Sequence, residues 1–577
     1  MNPADPQDRG LNRRELLGTV GGAVLGGVAV GEAAFAQPDD TPAEAGASVA
    51  TAPAVARAAA KPFELEELTI RDLAAGLAAG RWSSQRLVEL YVARIVEVDR
   101  VGIGGTGTNA IAETNPQALE IAETLDREHQ AGKLRGPLHG IPVILKDNID
   151  TGDRMQTTAG SLALAGSVAA KDAFLVERLR AAGAIVLAKT NLSEWANFRS
   201  THSTSGWSGR GGQVRNPYAL DRNPCGSSSG TGAGVSANLA AAGIGTETDG
   251  SILCPASMCG LVGLKPTVGL VSRRGIIPIS STQDTAGPMC RTVADAAILL
   301  AAITGTDLLD PATAASVGKT ADYAKALDAN GLAGARLGVV RKFFGWHPEV
   351  DRQMQAVLDL LRQLGAVLVD PVEIPHLGEY DAGEYEIMLY EFKHGLNAYL
   401  SGLPAGGTGA AGAAAPGATP PRSLAELIVW NREHAAQEMP WFGQEIFEQA
   451  EAKGPLSDEA YAKALADNLR LSRGEGLDAA LAGQRLDALI CPTIGPAYLT
   501  DWLNGDHFGG SATSPCAVAG YPHITVPAGE VRGLPWGLSF MGTAWSEARL
   551  IRFAHAFEQA SRARKAPRFL ASVDFAA

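Results

Sequence analysis

From residue 63 onward, short apolar runs alternate with segments of helical period, and that alternation restricts the possible folds more than anything else in the chain. Residues 84–98 place Leu87, Tyr91 and Ile95 four apart, the spacing of an amphipathic helix. Residues 141–145 are apolar and are closed by Lys146, Asp147 and Asn148, which reads as a strand ending in a polar loop. Residues 172–182 read as helix and 184–188 as a buried strand. Residues 336–340, 350–364 and 366–369 repeat the order strand, helix, strand. Later strands are expected at 486–490, 524–526 and 537–541, with a closing helix over 547–564. Strands separated by helices predict an α/β fold: a large, parallel or mixed β-sheet covered by helices on both faces.

The 577 residues are enough for one large α/β domain or two to three ordinary ones. The start reads as an address. Asn12-Arg13-Arg14-Glu15-Leu16-Leu17 is followed by a modestly apolar stretch to residue 30 and then by Ala34-Phe35-Ala36. Paired arginines, a weak apolar region and an A-x-A site predict a twin-arginine signal peptide over 1–36, cut after Ala36. The apolar stretch is short of the roughly 20 residues a membrane span needs. The mature protein is expected to be periplasmic or secreted, with no membrane association after cleavage. Residues 37–62 lack apolar periodicity and read as a flexible linker; 63–577 reads as one folded domain. Residues 404–421, nearly all Gly, Ala, Pro and Thr, read as a low-complexity surface insert.

A formal net charge of −13 without a Lys/Arg run argues against nucleic acid as a partner. Aromatic residues at 6% leave no stacking platform for single strands either. The six cysteines form no C-x-x-C pair and no zinc-like spacing with histidine, so they read as small buried apolar residues. A disulfide remains possible, with its partners open. The histidines carry no partner at metal spacing; His139 and His202, which lie near the motifs below, read as packing or hydrogen-bonding residues.

Two segments dense in small residues are the candidates for chemistry: Cys225-Gly226-Ser227-Ser228-Ser229-Gly230-Thr231 and Gly245-Thr246-Glu247-Thr248-Asp249-Gly250-Ser251-Ile252. Small side chains let backbone N–H groups approach a ligand, as an oxyanion site requires. An Ala-rich, helical-looking stretch separates the two, and Lys146 lies upstream at the end of a strand.

With these residues in place the chain resembles the amidase signature family. The resemblance extends through Gly136-Pro137-Leu138-His139-Gly140-Ile141-Pro142, Lys189-Thr190-Asn191-Leu192-Ser193-Glu194-Trp195, Gly263-Leu264-Lys265-Pro266-Thr267 and Gln283-Asp284-Thr285-Ala286-Gly287-Pro288-Met289, and covers about residues 65–565. Within the family, Gly206-Trp207-Ser208, Cys225-Gly226-Ser227-Ser228-Ser229 and Gly542-Thr543-Ala544-Trp545-Ser546-Glu547 resemble the bacterial peptide amidases, which remove the C-terminal amide of peptides.

The resemblance implies a serine amidohydrolase acting through an acyl-enzyme. Ser251 matches the nucleophile, a hydroxyl that needs an adjacent base. Ser227 matches a bridging serine next to a cis peptide bond, and Lys146 matches the base, which must be neutral to accept a proton. The N–H groups of Thr248, Asp249, Gly250 and Ser251 match the oxyanion site, where each donor is worth about 3–4 kcal/mol. In the implied cycle Ser227 relays the Ser251 proton to Lys146, Ser251 attacks the amide carbonyl, and the relay protonates the departing amine. Water then releases the acid. No cofactor or metal is required. Asp249 stands where the family more often has glycine, Leu253 where arginine is frequent and Ser229 where glycine is frequent.

Rival readings are weaker. Gly226-Ser227-Ser228-Ser229-Gly230 fits the nucleophile elbow with Ser228 as nucleophile, but turn residues precede it where the elbow needs a strand. Ser316-Val317-Gly318-Lys319 fits S-x-x-K without the companion motifs. An amidase of other small aliphatic or aryl amides is the nearest alternative. An ammonia-supplying amidotransferase subunit conflicts with the export signal, and a silent binding protein conflicts with the joint presence of Ser251, Ser227 and Lys146.

Overall fold

The computed structural model describes residues 62–103, 105–404 and 420–573. The signal over 1–36, the linker over 37–62 except its last residue, and the insert over 404–421 except its ends lie outside the described residues. Among the described residues, 11 strands form one mixed sheet. They are β1 (Ile111–Thr114), β2 (Pro142–Lys146), β3 (Ile185–Thr190), β4 (Ala242–Glu247), β5 (Val262–Lys265) and β6 (Thr285–Cys290), followed by β7 (Arg336–Val339), β8 (Val367–Val369), β9 (Ala488–Pro492), β10 (His523–Val531) and β11 (Leu534–Met541). Their order is β1-β3-β2-β4-β6-β5-β10-β11-β9-β7-β8. The parallel pairs are β2 with β3, β2 with β4, β9 with β7 and β8 with β7; the remaining neighbours are antiparallel.

The strong periodicities behave as their patterns dictate. Ser83 caps the helix Ser84–Arg94 by accepting from the Arg86 N–H, and the helix continues as a π-helical segment, Ile95–Val101. The closing helix, Glu547–Ser561, stops short of residue 564 because Arg562 turns into the left-handed region. The helices Ser229–Ser236, Val293–Ile303 and Glu547–Ser561 pack on the sheet against β4, β6 and β10.

Strands β1, β4, β5 and β6 were not expected from the sequence. The residues of β4, Ala-Gly-Ile-Gly-Thr-Glu, have little β-propensity, and 245–247 read instead as part of a loop. Packing explains the composition. The Ser229–Ser236 helix lies directly on this strand: a Cβ at Gly243 would sit 2.6 Å from Thr231 Cγ2, and one at Gly245 would sit 2.7 Å from Ser228 Oγ. Only glycine permits that approach.

A helical layer formed by Asp381–Ser401, Leu424–Glu433 and Glu445–Glu451 has its own apolar cluster. Leu389, Phe392, Leu427 and Phe447 pack there with Trp195, Ile277 and Ile279, so the layer braces the loop after β3 and the loop before β6.

Candidate active site

Because β2 and β4 are parallel neighbours, paired through Val143↔Ala242, Ile144↔Gly243 and Leu145↔Ile244, their C-terminal ends emerge together. This end of adjacent parallel strands is where α/β sheets gather ligands. Lys146 is the last residue of β2 and has no exposed surface. Its Nζ lies 2.7 Å from Ser227 Oγ, 2.9 Å from Thr246 Oγ1 and 3.3 Å from the Thr246 carbonyl. Asn148 Nδ2 also donates to Thr246 Oγ1, at 3.0 Å. A neutral amine has two N–H bonds and one lone pair. Nζ donates to all three oxygens; on losing a proton it can keep the two oxygens of Thr246 as acceptors and turn its lone pair to the Ser227 hydroxyl. Burial pushes the Lys146 pKa down from 10.5 to about 7, against the opposing pull of Asp284 and Glu247. Burial thereby favours the neutral amine that a base requires.

Ser227 is fully buried, and the Gly226–Ser227 peptide bond is cis, as the resemblance implied. Its carbonyl accepts from the Ser193 N–H at 3.1 Å. Ser251 is 9% exposed, on the turn that leaves β4 and enters the helix Leu253–Met258. The two serine loops are joined directly: the Ser228 N–H donates to the Ser251 carbonyl at 3.1 Å. A second link is covalent, a disulfide between Cys225 and Cys254 with Cα atoms 5.9 Å apart. The sequence left the pairing open; Cys259, Cys290, Cys491 and Cys516 are the buried free cysteines.

The turn Thr248–Ser251 is shaped from several sides. Gly250 has φ +79°, a conformation that favours glycine. Glu247, buried at the end of β4, accepts from the N–H groups of Ile252 at 2.7 Å and Leu253 at 3.0 Å, so its carboxylate caps the helix that follows Ser251. Thr248 Oγ1 donates to Asp284 at 2.6 Å. Asp284 also accepts from the N–H groups of Ile279 at 2.8 Å and Ser280 at 2.9 Å; burial lifts its pKa from 3.8 to about 6. A small cavity beside these groups is lined by Asn148, Ser227, Thr246, Thr248, Ile277 and Asp284. Among the described residues, no acceptor takes the N–H groups of Gly250 or Ser251. N–H groups left without an acceptor beside a serine are what an oxyanion site requires.

Asp249, the departure from the usual glycine, accepts from Thr513 Oγ1 and from Ser514 Oγ, the latter at 2.7 Å. Its carboxylate thereby fastens the turn to the start of the helix Ser514–Ala519. Sequence reading placed Thr246 and Glu247 in a candidate segment without giving them a role, gave Asp284 none either, and passed over Thr513 and Ser514. Asp284 stood within a quoted motif, but no pattern marked it as a partner of the turn.

The rival sites are accounted for. Ser228 is buried, with Oγ donating to the Thr246 carbonyl at 3.0 Å and accepting from the Thr246 N–H at 3.2 Å, and no strand precedes it. Ser316 Oγ donates to the Thr313 carbonyl, and Lys319 is exposed. His139 is buried, with Nε2 3.0 Å from the Leu125 carbonyl, and His202 is exposed.

Comparison with known proteins bears on what such a site does. The family model described as Amidase matches residues 86–551. A protein of Arabidopsis thaliana named as a probable amidase is 43% identical over 519 residues, covering 88% of this chain and 93% of that protein. The crystal structure of native peptide amidase from Stenotrophomonas maltophilia is 51% identical, with a TM-score of 0.81, covering 88% of this chain and 100% of that one. A glutamyl-tRNA(Gln) amidotransferase component from Moorella thermoacetica is 34% identical over 512 residues, covering 86% of this chain and 98% of that protein.

Proposed function

Given that this chain belongs to the amidase family and is an amide-hydrolysing enzyme, we propose that it acts through Ser251, Ser227 and Lys146 and removes the C-terminal amide of peptides. The observation that carries the mechanism is the buried Lys146 amine, 2.7 Å from Ser227 Oγ and with its pKa brought down to about 7. The neutral amine takes the Ser227 proton as Ser227 takes that of Ser251, and Ser251 adds to the amide carbonyl. The N–H groups of the turn Thr248–Ser251 receive the oxyanion, the step at which such donors contribute most. Collapse of the adduct sends the proton back through Ser227 to the departing ammonia. Water repeats the sequence to free the acid, so atoms balance without a cofactor.

The substrate class rests on the likeness to the peptide amidase, 51% identical over 88% of this chain. Ammonia release from amidated peptides, short aliphatic amides, aryl amides and free glutamine tests it. Amidated peptides are expected to be turned over with the highest kcat/KM. A preference for aliphatic or aryl amides would overturn the substrate assignment and leave the mechanism standing. The likeness to an amidotransferase component favours a second reading, ammonia supply from glutamine, and turnover of glutamine above that of amidated peptides would establish it. The Arg13-Arg14 signal supports export to the periplasm or beyond. Amino-terminal sequencing of the native protein is expected to start at Gln37; an intact start in the cytoplasm would refute export.

A further inference from the structure

We infer that the Cys225–Cys254 disulfide is a positioning element for amide hydrolysis, holding the Ser227 and Ser251 hydroxyls on one path, so that its reduction lowers kcat while leaving KM nearly unchanged. The inference rests on the proposed roles of the two serines.

Cys225 lies two residues before Ser227, and Cys254 lies three after Ser251, in the first turn of the helix Leu253–Met258. The hydrogen bond from the Ser228 N–H to the Ser251 carbonyl lies on the other side of the pair. Ser227 is thus bracketed by a covalent tie at 225 and a hydrogen bond at 228. Ser251 is bracketed by the same hydrogen bond at its own carbonyl and by the covalent tie at 254. With one tie alone, the two loops could pivot about it. Two ties remove that freedom.

The sheet between the two cysteines has pairing of its own, independent of this cross-link. Between the two cysteines lie the Ser229–Ser236 helix and β4, and β4 is already paired with β2 on one side and β6 on the other. Losing the disulfide therefore acts on the loops before it acts on the sheet. The Cys225 end is held in an uncommon backbone conformation, φ +64°, by its own N–H donating to Asn223 Oδ1 at 2.8 Å, while Asn223 Nδ2 donates to the Ser205 carbonyl at 2.8 Å. The cysteines are 1% and 4% exposed, among Tyr218, Met258, Ile494 and Tyr498. Nearby Cys259 is no competitor for exchange, since burial drives its thiol far above the ordinary range. Reduction by a dithiol breaks the S–S bond to two thiols, and the reductant closes to its own disulfide, supplying the two electrons and two protons. Misplacing reacting groups by about 1 Å can cost about 10²-fold in rate.

The test compares wild type, the Cys225→Ala/Cys254→Ala double variant and Ser251→Ala, using ammonia release from an N-acetylated dipeptide amide and circular dichroism to certify folding. The double variant is expected to lose at least about tenfold in kcat with KM within about twofold. A folded double variant with wild-type kcat would overturn the inference, as would peptide mapping of unreduced protein that finds both cysteines alkylated. If the double variant does not fold, wild type is reduced in mild urea and assayed before and after reoxidation; kcat should fall and return. Constant kcat across a verified reduction overturns the inference. Activity in Ser251→Ala would overturn the catalytic reading instead, so the two failures are distinguishable.

Discussion

Neighbouring strands β2 and β3 both bury a lysine near their C-terminal ends, and under the proposed mechanism the two lysines do different work. Lys146 and Lys189 have no exposed surface, and burial lowers the pKa of each. Lys189 Nζ lies 2.6 Å from the Ile149 carbonyl, 3.1 Å from the Gln156 carbonyl and 3.0 Å from Thr157 Oγ1, with Asp147 and Asp150 opposing the loss of its proton. Those partners are what a charged ammonium needs to hold loops together. Both lysines touch a hydroxyl, but the one at Lys146 belongs to Ser227, on the loop whose Ser228 N–H is bonded to the Ser251 carbonyl, whereas the one at Lys189 belongs to Thr157. Burial makes a lysine a candidate base, but the proton-bearing group it touches decides whether it can serve as one.

That comparison can be broken by mutation. The largest effects are expected at the reacting end: Ser251→Ala and Lys146→Ala should each lower kcat by at least about 10³-fold, measured by ammonia release on folded protein. Near-normal turnover in either would refute the mechanism. Ser227→Ala should cost less, about 10²-fold, because water can replace a relay hydroxyl; an unchanged kcat would remove Ser227 from the path. Lys189→Met should do the reverse of Lys146→Ala. It leaves buried acceptors unpaired and should cost about 3 kcal/mol of stability, read as a lower Tm, while kcat of the folded fraction stays within a few-fold. A Lys189→Met enzyme that keeps its Tm but loses turnover would erase the distinction between the two lysines. The smallest expected effect is that of EDTA, which should leave the rate unchanged; clear inhibition would point to a metal.

How far these roles could be read from the sequence follows the same physics. The apolar run ending at Lys146 and the serine-bearing Gly/Ser segments stood out because their residue types are unusual at that density, and the family resemblance assigned Lys146, Ser227 and Ser251 distinct roles. The strand carrying Thr246 did not stand out. Its glycines at 243 and 245 are dictated by a helix packed against it, and that contact becomes visible only in three dimensions. Asp249 read as an electrostatic anomaly in an oxyanion loop; its hydroxyl partners, Thr513 and Ser514, come from far along the chain. The pairing of Cys225 with Cys254 was illegible for the same reason. Local patterns exposed the groups proposed to react, and the groups that hold them in place came from tertiary packing.

The most direct measurement is the rate at which a fluorophosphonate labels Ser251, followed as a function of pH in wild type and in Lys146→Ala. Protonated Lys146 cannot accept a proton, so labelling of wild type should rise with pH through a midpoint near 7 and then level off, whereas labelling of Lys146→Ala should be slow and lack that midpoint. An undiminished rate with the same midpoint in Lys146→Ala would mean that some other group draws the proton from Ser251.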